Sequence, residues 1–279
     1  MALLAPPPLP PRVATGDNDG LRRMRLRLWQ ISMSALTVFA TAWCCTLGAI
    51  RSYLDRRGFA YELVVSADGD DGTREAAAAL ARGDPRVRVV GSAERGGKGR
   101  GIRLGVARAR GRVIGFCDAD YKTPIEEMDK LLPWVEDGWD VVIGSRCVPE
   151  SKVEVPQALY RQLGSRAFAL GMHLVIGLWG IHDTQCGFKF YRGPVARDLF
   201  GRLRVDGYMF DVDLLYLARR AGYRLKEVGV RWRDDGDSRL ALVSGNWRNM
   251  LDLFRIRFGR VPPPAPRCEQ ACACAKEAA

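Results

Sequence analysis

Asp118 and Asp120, two residues apart, close the β-forming run 113–117, and carboxylates so spaced can gather a divalent cation. In an open α/β sheet, side chains at the carboxyl end of a strand reach the crevice where ligands bind. Two hard oxygen ligands, with water and a diphosphate, would complete the octahedral shell that Mg²⁺ or Mn²⁺ prefers. Such a cation would offset charge building on a leaving diphosphate. The same residues also suit a helix N-cap, because Asp120 and Thr123-Pro124 precede a helical run. An Asp-x-Asp by itself does not choose between the two.

Two further turns carry chemistry. The run 61–65 leads into Ser66-Ala67-Asp68-Gly69-Asp70-Asp71-Gly72-Thr73, where an acidic side chain can accept hydrogen bonds from a base or a ribose. Asp and Gly also simply make good turns and caps. Glu94-Arg95-Gly96-Gly97-Lys98-Gly99-Arg100-Gly101 follows a strand and opens a helix, as a phosphate loop does. It fails the P-loop pattern, since Gly91 to Gly97 has one residue too many and Gly99 stands where Ser or Thr is needed, and it fails the dinucleotide fingerprint, since Ile102 replaces the last glycine. What survives is a basic turn able to set Lys98 or Arg100 against a phosphate.

The elements that must position these groups alternate short β-rich runs with helical ones, the signature of a sheet with helices on its faces. Strands are expected at 61–65, 87–90, 113–117, 141–144, 188–191 and 225–232, and helices at 73–81, 102–109, 125–136, 159–176, 210–221 and 247–258. The chain has 279 residues, 47% hydrophobic, enough for a sizeable core. Its net charge of +11 is spread along the sequence and points to anionic partners. Zinc-finger, basic-zipper and ribonucleoprotein patterns are all absent, which argues against nucleic acid. Eight scattered cysteines form no paired framework and fit a reducing compartment.

In order along the chain stand the acidic turn 67–73, Gly97-Lys98-Gly99, Asp118-Ala119-Asp120, Ile143-Gly144-Ser145-Arg146, Asp183-Thr184-Gln185-Cys186-Gly187-Phe188-Lys189 and Phe210-Asp211-Val212-Asp213. The series resembles family 2 glycosyltransferases, in particular the dolichyl-phosphate glucosyltransferases and bacterial polyprenyl-phosphate relatives, over residues 46–260. That resemblance implies a GT-A fold, a mostly parallel sheet flanked by helices. It implies Asp68 near the nucleotide base, Asp118 and Asp120 holding nucleotide and metal, and Lys98 and Arg239 on the donor phosphates. Arg146 and Arg161 would grip an acceptor phosphate, for which guanidinium forks are suited. Asp183, Gln185, Lys189, Asp211 and Asp213 would line the sugar and phosphate pocket. The implied reaction is metal-dependent, inverting transfer of a sugar, glucose favoured, from UDP-glucose to a polyprenyl or dolichyl phosphate.

One part of the pattern is missing. The family's first strand and Pro-x-Tyr-Asn-Glu type turn fall where residues 28–45 hold a mildly apolar segment, so the first strand is expected to be atypical or absent. The uncharged stretch 28–50 is also long enough for a membrane anchor. The expected organisation is a disordered basic segment 1–27, the atypical stretch 28–45, a catalytic domain 46–260 and a disordered tail 261–279. An incomplete donor site would leave a catalytically silent relative, and a glycan or protein acceptor is the other alternative. The stripe Trp247, Met250, Leu251, Phe254 and Phe258 suits either an interfacial or a core helix, and 167–181 either a prenyl groove or core. The location implied is the cytoplasmic face of a membrane, peripheral or N-terminally anchored.

Overall fold

A computed structural model describes residues 36–40, 44–118, 120–155, 159–233 and 244–263. The expected disordered ends lie outside them, except for residues 261–263. Among the described residues seven strands form one sheet: β1 (Leu36–Ala40), β2 (Tyr61–Ser66), β3 (Val87–Val90), β4 (Val113–Cys117), β5 (Val141–Ser145), β7 (Phe188–Arg192) and β8 (Leu225–Gly229), in the order β3-β2-β1-β4-β7-β5-β8. β6 (Lys152–Val155) and β9 (Arg231–Arg233) make a separate parallel pair. Among the described strands of the large sheet, β7 alone runs antiparallel to its neighbours.

The first strand is therefore present, which corrects the reading in which it is lost. Residues 36–40 pair in parallel with β2 on one edge and β4 on the other. Of the uncharged stretch, the described residues 36–40 form this strand and 44–50 belong to helix α1 (Cys44–Arg56). Leu47, Ile50 and Leu54 recur along one face of α1 and are buried, each contributing about 1.5–3 kcal/mol by leaving water. Among the described residues no helix is long and apolar enough to cross a membrane.

Alternation along the strands sends side chains to opposite faces. Val64, Ile114, Phe116, Val141 and Ile143 enter one core with α3 (Lys98–Arg108), α5 (Leu159–Ile176), α6 (Gly193–Gly201), α7 (Phe210–Arg220) and α8 (Ser244–Phe258). Leu63, Val65, Val113, Cys117 and Val142 enter the other, with α1, α2 (Thr73–Arg82) and α4 (Met128–Glu136). Burial from both sides explains why β2, β4 and β5 read as nearly unbroken apolar runs.

Register decides where the motifs go. Ala40 is level with Val65 and Cys117, so β1, β2 and β4 end at the same side of the sheet, and the turns after β2 and β4 leave from there. Because β7 is reversed, Phe188 lies opposite Cys117, and the loop 183–187 arrives at that edge from the other direction.

Candidate active site

Asp118 is held at the tip of β4 by donating its N–H to the carbonyl of Gly187, 3.0 Å away. A Cβ on Gly187 would stand 2.0 Å from Asp118 Oδ2, so the carboxylate occupies space that only glycine leaves open. Lys98 Nζ lies 2.6 Å from Asp118 Oδ1. The lysine opens α3, whose first turn is seated on Asp206: its carbonyl accepts from Gly99 N at 2.9 Å and Arg100 N at 3.3 Å. Gly97 enters with φ +96°, and a Cβ there would meet the Asp206 oxygen at 2.4 Å. Burial works against the Lys98 ammonium, but the charges of Asp118 and Asp211 outweigh it and raise the pKa, leaving a fixed cation.

Asp120 stands on the rim. Desolvation, then the negative charge of Asp118, push its carboxyl pKa up, and Lys122 at 3.6 Å offsets part of that. A carboxyl whose pKa is raised by burial and by a neighbouring carboxylate favours a cation beside it. Tyr121, between Asp120 and Lys122, takes φ +52°, a conformation that costs a non-glycine residue about 1–3 kcal/mol. Its N–H bonds to the Asp118 carbonyl and its hydroxyl accepts from Ile125 N, which fix the turn. Among the described residues no cluster of three metal-binding side chains forms. Mg²⁺ commonly takes one or two carboxylates and fills its shell with water and substrate phosphates, so the pair fits that role.

Beside Asp120 opens a cleft of about 440 Å³ lined by Tyr121, Lys122, Glu154 and the strand Arg231-Trp232-Arg233. Arg231 is fixed by Glu127, 2.6 Å from its Nε. The Trp232 ring lies under both Lys122 Nζ, at 5.8 Å, and the Arg146 guanidinium, at 5.3 Å. The cleft thus continues the acidic rim into a cationic surface.

The other expected site residues are divided by the fold. Arg146 makes a two-pronged pair with Asp183, Nε to Oδ2 at 2.7 Å and Nη2 to Oδ1 at 2.8 Å. The fork assigned by sequence to a phosphate is engaged by that carboxylate, and the Asp183 carboxyl stays below its usual pKa because, against the cost of burial, Arg146 hydrogen-bonds it. Gln185 N donates to the same carboxylate at 3.2 Å. Lys189 is wholly buried inside β7, its ammonium 2.6 Å from Asp211 Oδ1 and 2.6 Å from the Cys186 carbonyl. Asp211, whose carboxyl is raised by burial, also lies in the field of Lys98, so it links the interior pair to the rim.

Asp213 does not join them. Two positions along α7, it accepts from the backbone and side chain of Arg204, which also donates to the Gly259 carbonyl at 3.2 Å. A helix turns about 200° over two residues, which separates Asp211 from Asp213. Asp68 accepts from Ser92 N at 3.0 Å and Gly96 N at 3.2 Å, shaping the loop that leads to Lys98. Arg239 and the side chain of Arg161 lie outside the described residues. The sequence reading marks none of Arg231, Trp232 and Arg233 as site residues; the signal available is an aromatic between two arginines just beyond a strand.

Residues 35–200 match the model of the family described as glycosyl transferase family 2. The dolichyl-phosphate beta-glucosyltransferase of Drosophila melanogaster is 37% identical over 213 residues, 71% of this chain and 63% of that protein. The Homo sapiens protein of the same name is 32% identical over 221 residues, 74% of this chain and 68% of the other. The chain spans a little under two thirds of the length of relatives such as the Drosophila protein. Among solved structures, glucosyl-3-phosphoglycerate synthase of M. tuberculosis superposes with a TM-score of 0.60 at 19% identity, covering 86% of this chain and 85% of that one. The same protein in complex with Mn²⁺, UDP-glucose and phosphoglyceric acid gives a TM-score of 0.60 at 18% identity, covering 90% and 87%. At such identities the likeness establishes the GT-A fold.

Proposed function

The chain belongs to glycosyl transferase family 2, and from that footing we propose that it transfers glucose from UDP-glucose to the phosphate of a polyprenyl or dolichyl lipid. One observation carries the reading: Asp120, which lies in the field of the paired Asp118 and Lys98, lines a cleft edged by Lys122, Arg231 and Arg233. A donor diphosphate and a second phosphate group are thereby offered adjoining places. The relatives' names supply dolichyl phosphate as the acceptor, and the complexes of the solved neighbour supply UDP-glucose as the donor.

Asp118 and Asp120 would hold a divalent cation, which when bound offsets negative charge on the leaving diphosphate. Lys98, a permanent cation at the start of α3, supplies further charge there. Asp68 orders the neighbouring loop and keeps lone pairs free for the nucleoside. Lys122 and Arg233 grip the acceptor phosphate, Arg231 is held beside them by Glu127, and Arg146, paired with Asp183, braces the Trp232 ring. A phosphate oxygen is already ionised near neutral pH, so no strong general base is required. Its lone pair forms the new bond to the anomeric carbon as the bond to the diphosphate oxygen breaks, with inversion. Positioning and charge neutralisation carry the rate. The work is done at the cytoplasmic face of a membrane, where such an acceptor resides.

Incubating the purified chain with labelled UDP-glucose, dolichyl or undecaprenyl phosphate and Mg²⁺ tests this. Label should enter the lipid, and Asp120→Ala should abolish it. Label appearing in a glycan or protein without lipid would refute the acceptor, and UDP binding without turnover on any acceptor would refute the activity.

A further inference from the structure

Helix α8 has two faces of opposite character. Asp252, Leu253 and Ile256 are buried against the body of the protein, whereas Trp247, Met250, Leu251, Phe254 and Phe258 stand open to solvent, Trp247 at 70% and Phe258 at 72% exposure. At about 100° per residue, those five fall within a sector of about 100°. Arg248 and Arg255 flank the stripe on one side and Arg257 on the other, all exposed. Helix α5 packs beside α8 and adds Leu170 and Leu174, one turn apart and exposed, with Trp179 just beyond its end. Large apolar side chains gathered this way are uncommon on a surface that meets only water.

Charge identifies what covers them. Helix α5 contains no acidic residue, and the single one in α8, Asp252, points inward. A chain of net charge +11 thus presents an apolar stripe bordered by arginines, with no exposed carboxylate on either helix among the described residues. We propose that this face docks on an anionic lipid bilayer, the stripe entering the boundary between headgroups and acyl chains and the arginines meeting lipid phosphates. The back of α8 touches the site's own scaffold: Asp252 Oδ2 lies 3.4 Å from where a Cβ on Gly207 would stand, next to the Asp206 carbonyl that seats Lys98. Docking through α8 therefore holds the candidate site at the membrane surface. It does so whichever acceptor the site uses.

Flotation of the full chain with phosphatidylcholine vesicles, with and without phosphatidylserine, tests the proposal. The wild-type chain should float with the anionic vesicles and be released by high salt. Leu251→Glu with Phe254→Glu should weaken flotation at least about tenfold, while UDP affinity measured by calorimetry stays within about twofold, which reports an intact fold and separates this result from a failure of the enzymatic reading. Arg248→Gln with Arg255→Gln and Arg257→Gln should remove the preference for anionic lipid. Absence of wild-type flotation, or equal flotation by the glutamate variant, overturns the proposal. So does a wild-type dimer that the glutamate variant dissociates without any vesicle binding, since a second copy would then cover the face.

Discussion

Gly187→Ala is the sharpest probe of the acidic tip. Gly187 does not occupy the left-handed region, so alanine brings no backbone penalty there. Its Cβ would lie 2.0 Å from Asp118 Oδ2, 2.1 Å from Cγ and 2.4 Å from Oδ1. Non-bonded heavy atoms rest about 3.5 Å apart, so the carboxylate must move by more than about 1 Å. That swing breaks the 2.6 Å contact with Lys98 and shifts one of the two oxygens offered to a cation. A misplacement of about 1 Å at reacting groups costs about 10²-fold in rate, whereas a side chain pushed about 30° off its rotamer costs only about 0.5–1.5 kcal/mol. The variant should therefore lose about 10²-fold in kcat/KM for lipid labelling and bind UDP with Mn²⁺ more weakly, yet melt within a few degrees of wild type. Gly48→Ala serves as control, because a Cβ there meets nothing within 4 Å. Wild-type transfer and wild-type UDP affinity in Gly187→Ala would refute the assignment of Asp118 to the donor site.

Lys189→Met leaves the Asp211 carboxylate, 3% exposed, without its nearest counter-charge. Stability should fall by about 3–5 kcal/mol in denaturant titration, and Lys189→Met with Asp211→Leu should recover most of it, because apolar replacement of both partners is often neutral. Asp84 is held at a pKa of about 2, against 3.8 unperturbed, first by its hydrogen bond from Arg86 and against the effect of burial. Its folded-state value is depressed, so its contribution is complete above 3.8 and disappears as pH falls through about 2. Asp84→Asn should lower the Tm at neutral pH and flatten its decline across that interval, as followed by circular dichroism.

Much of the architecture is legible in the chain. The runs at β2, β4 and β5 announce themselves because strands buried on both faces need apolar side chains throughout, and the acidic and basic turns stand where those runs stop. Helix α6 escaped: it is short, nine residues directly after β7, and its opening Gly193-Pro194 reads as readily as a turn as a helix start. β1 escaped for a different reason. Its five residues sit in a longer uncharged stretch, and the choice between strand and spanning helix was made by hydrogen bonds to β2 and β4, whose partners are remote in sequence.

Residue types and their order by themselves determined the α/β class, the family resemblance and the presence of two carboxylates at a strand tip. Tertiary structure decided which charges meet. It reversed β7, so that Gly187 came to lie against Asp118; it gave the Arg146 fork to Asp183, 37 residues away; and it divided Asp211 and Asp213 between the site and an Arg204 scaffold. Local periodicity reports which face a side chain occupies, but an ion pair depends on distances of a few ångströms between elements that the sequence does not place side by side.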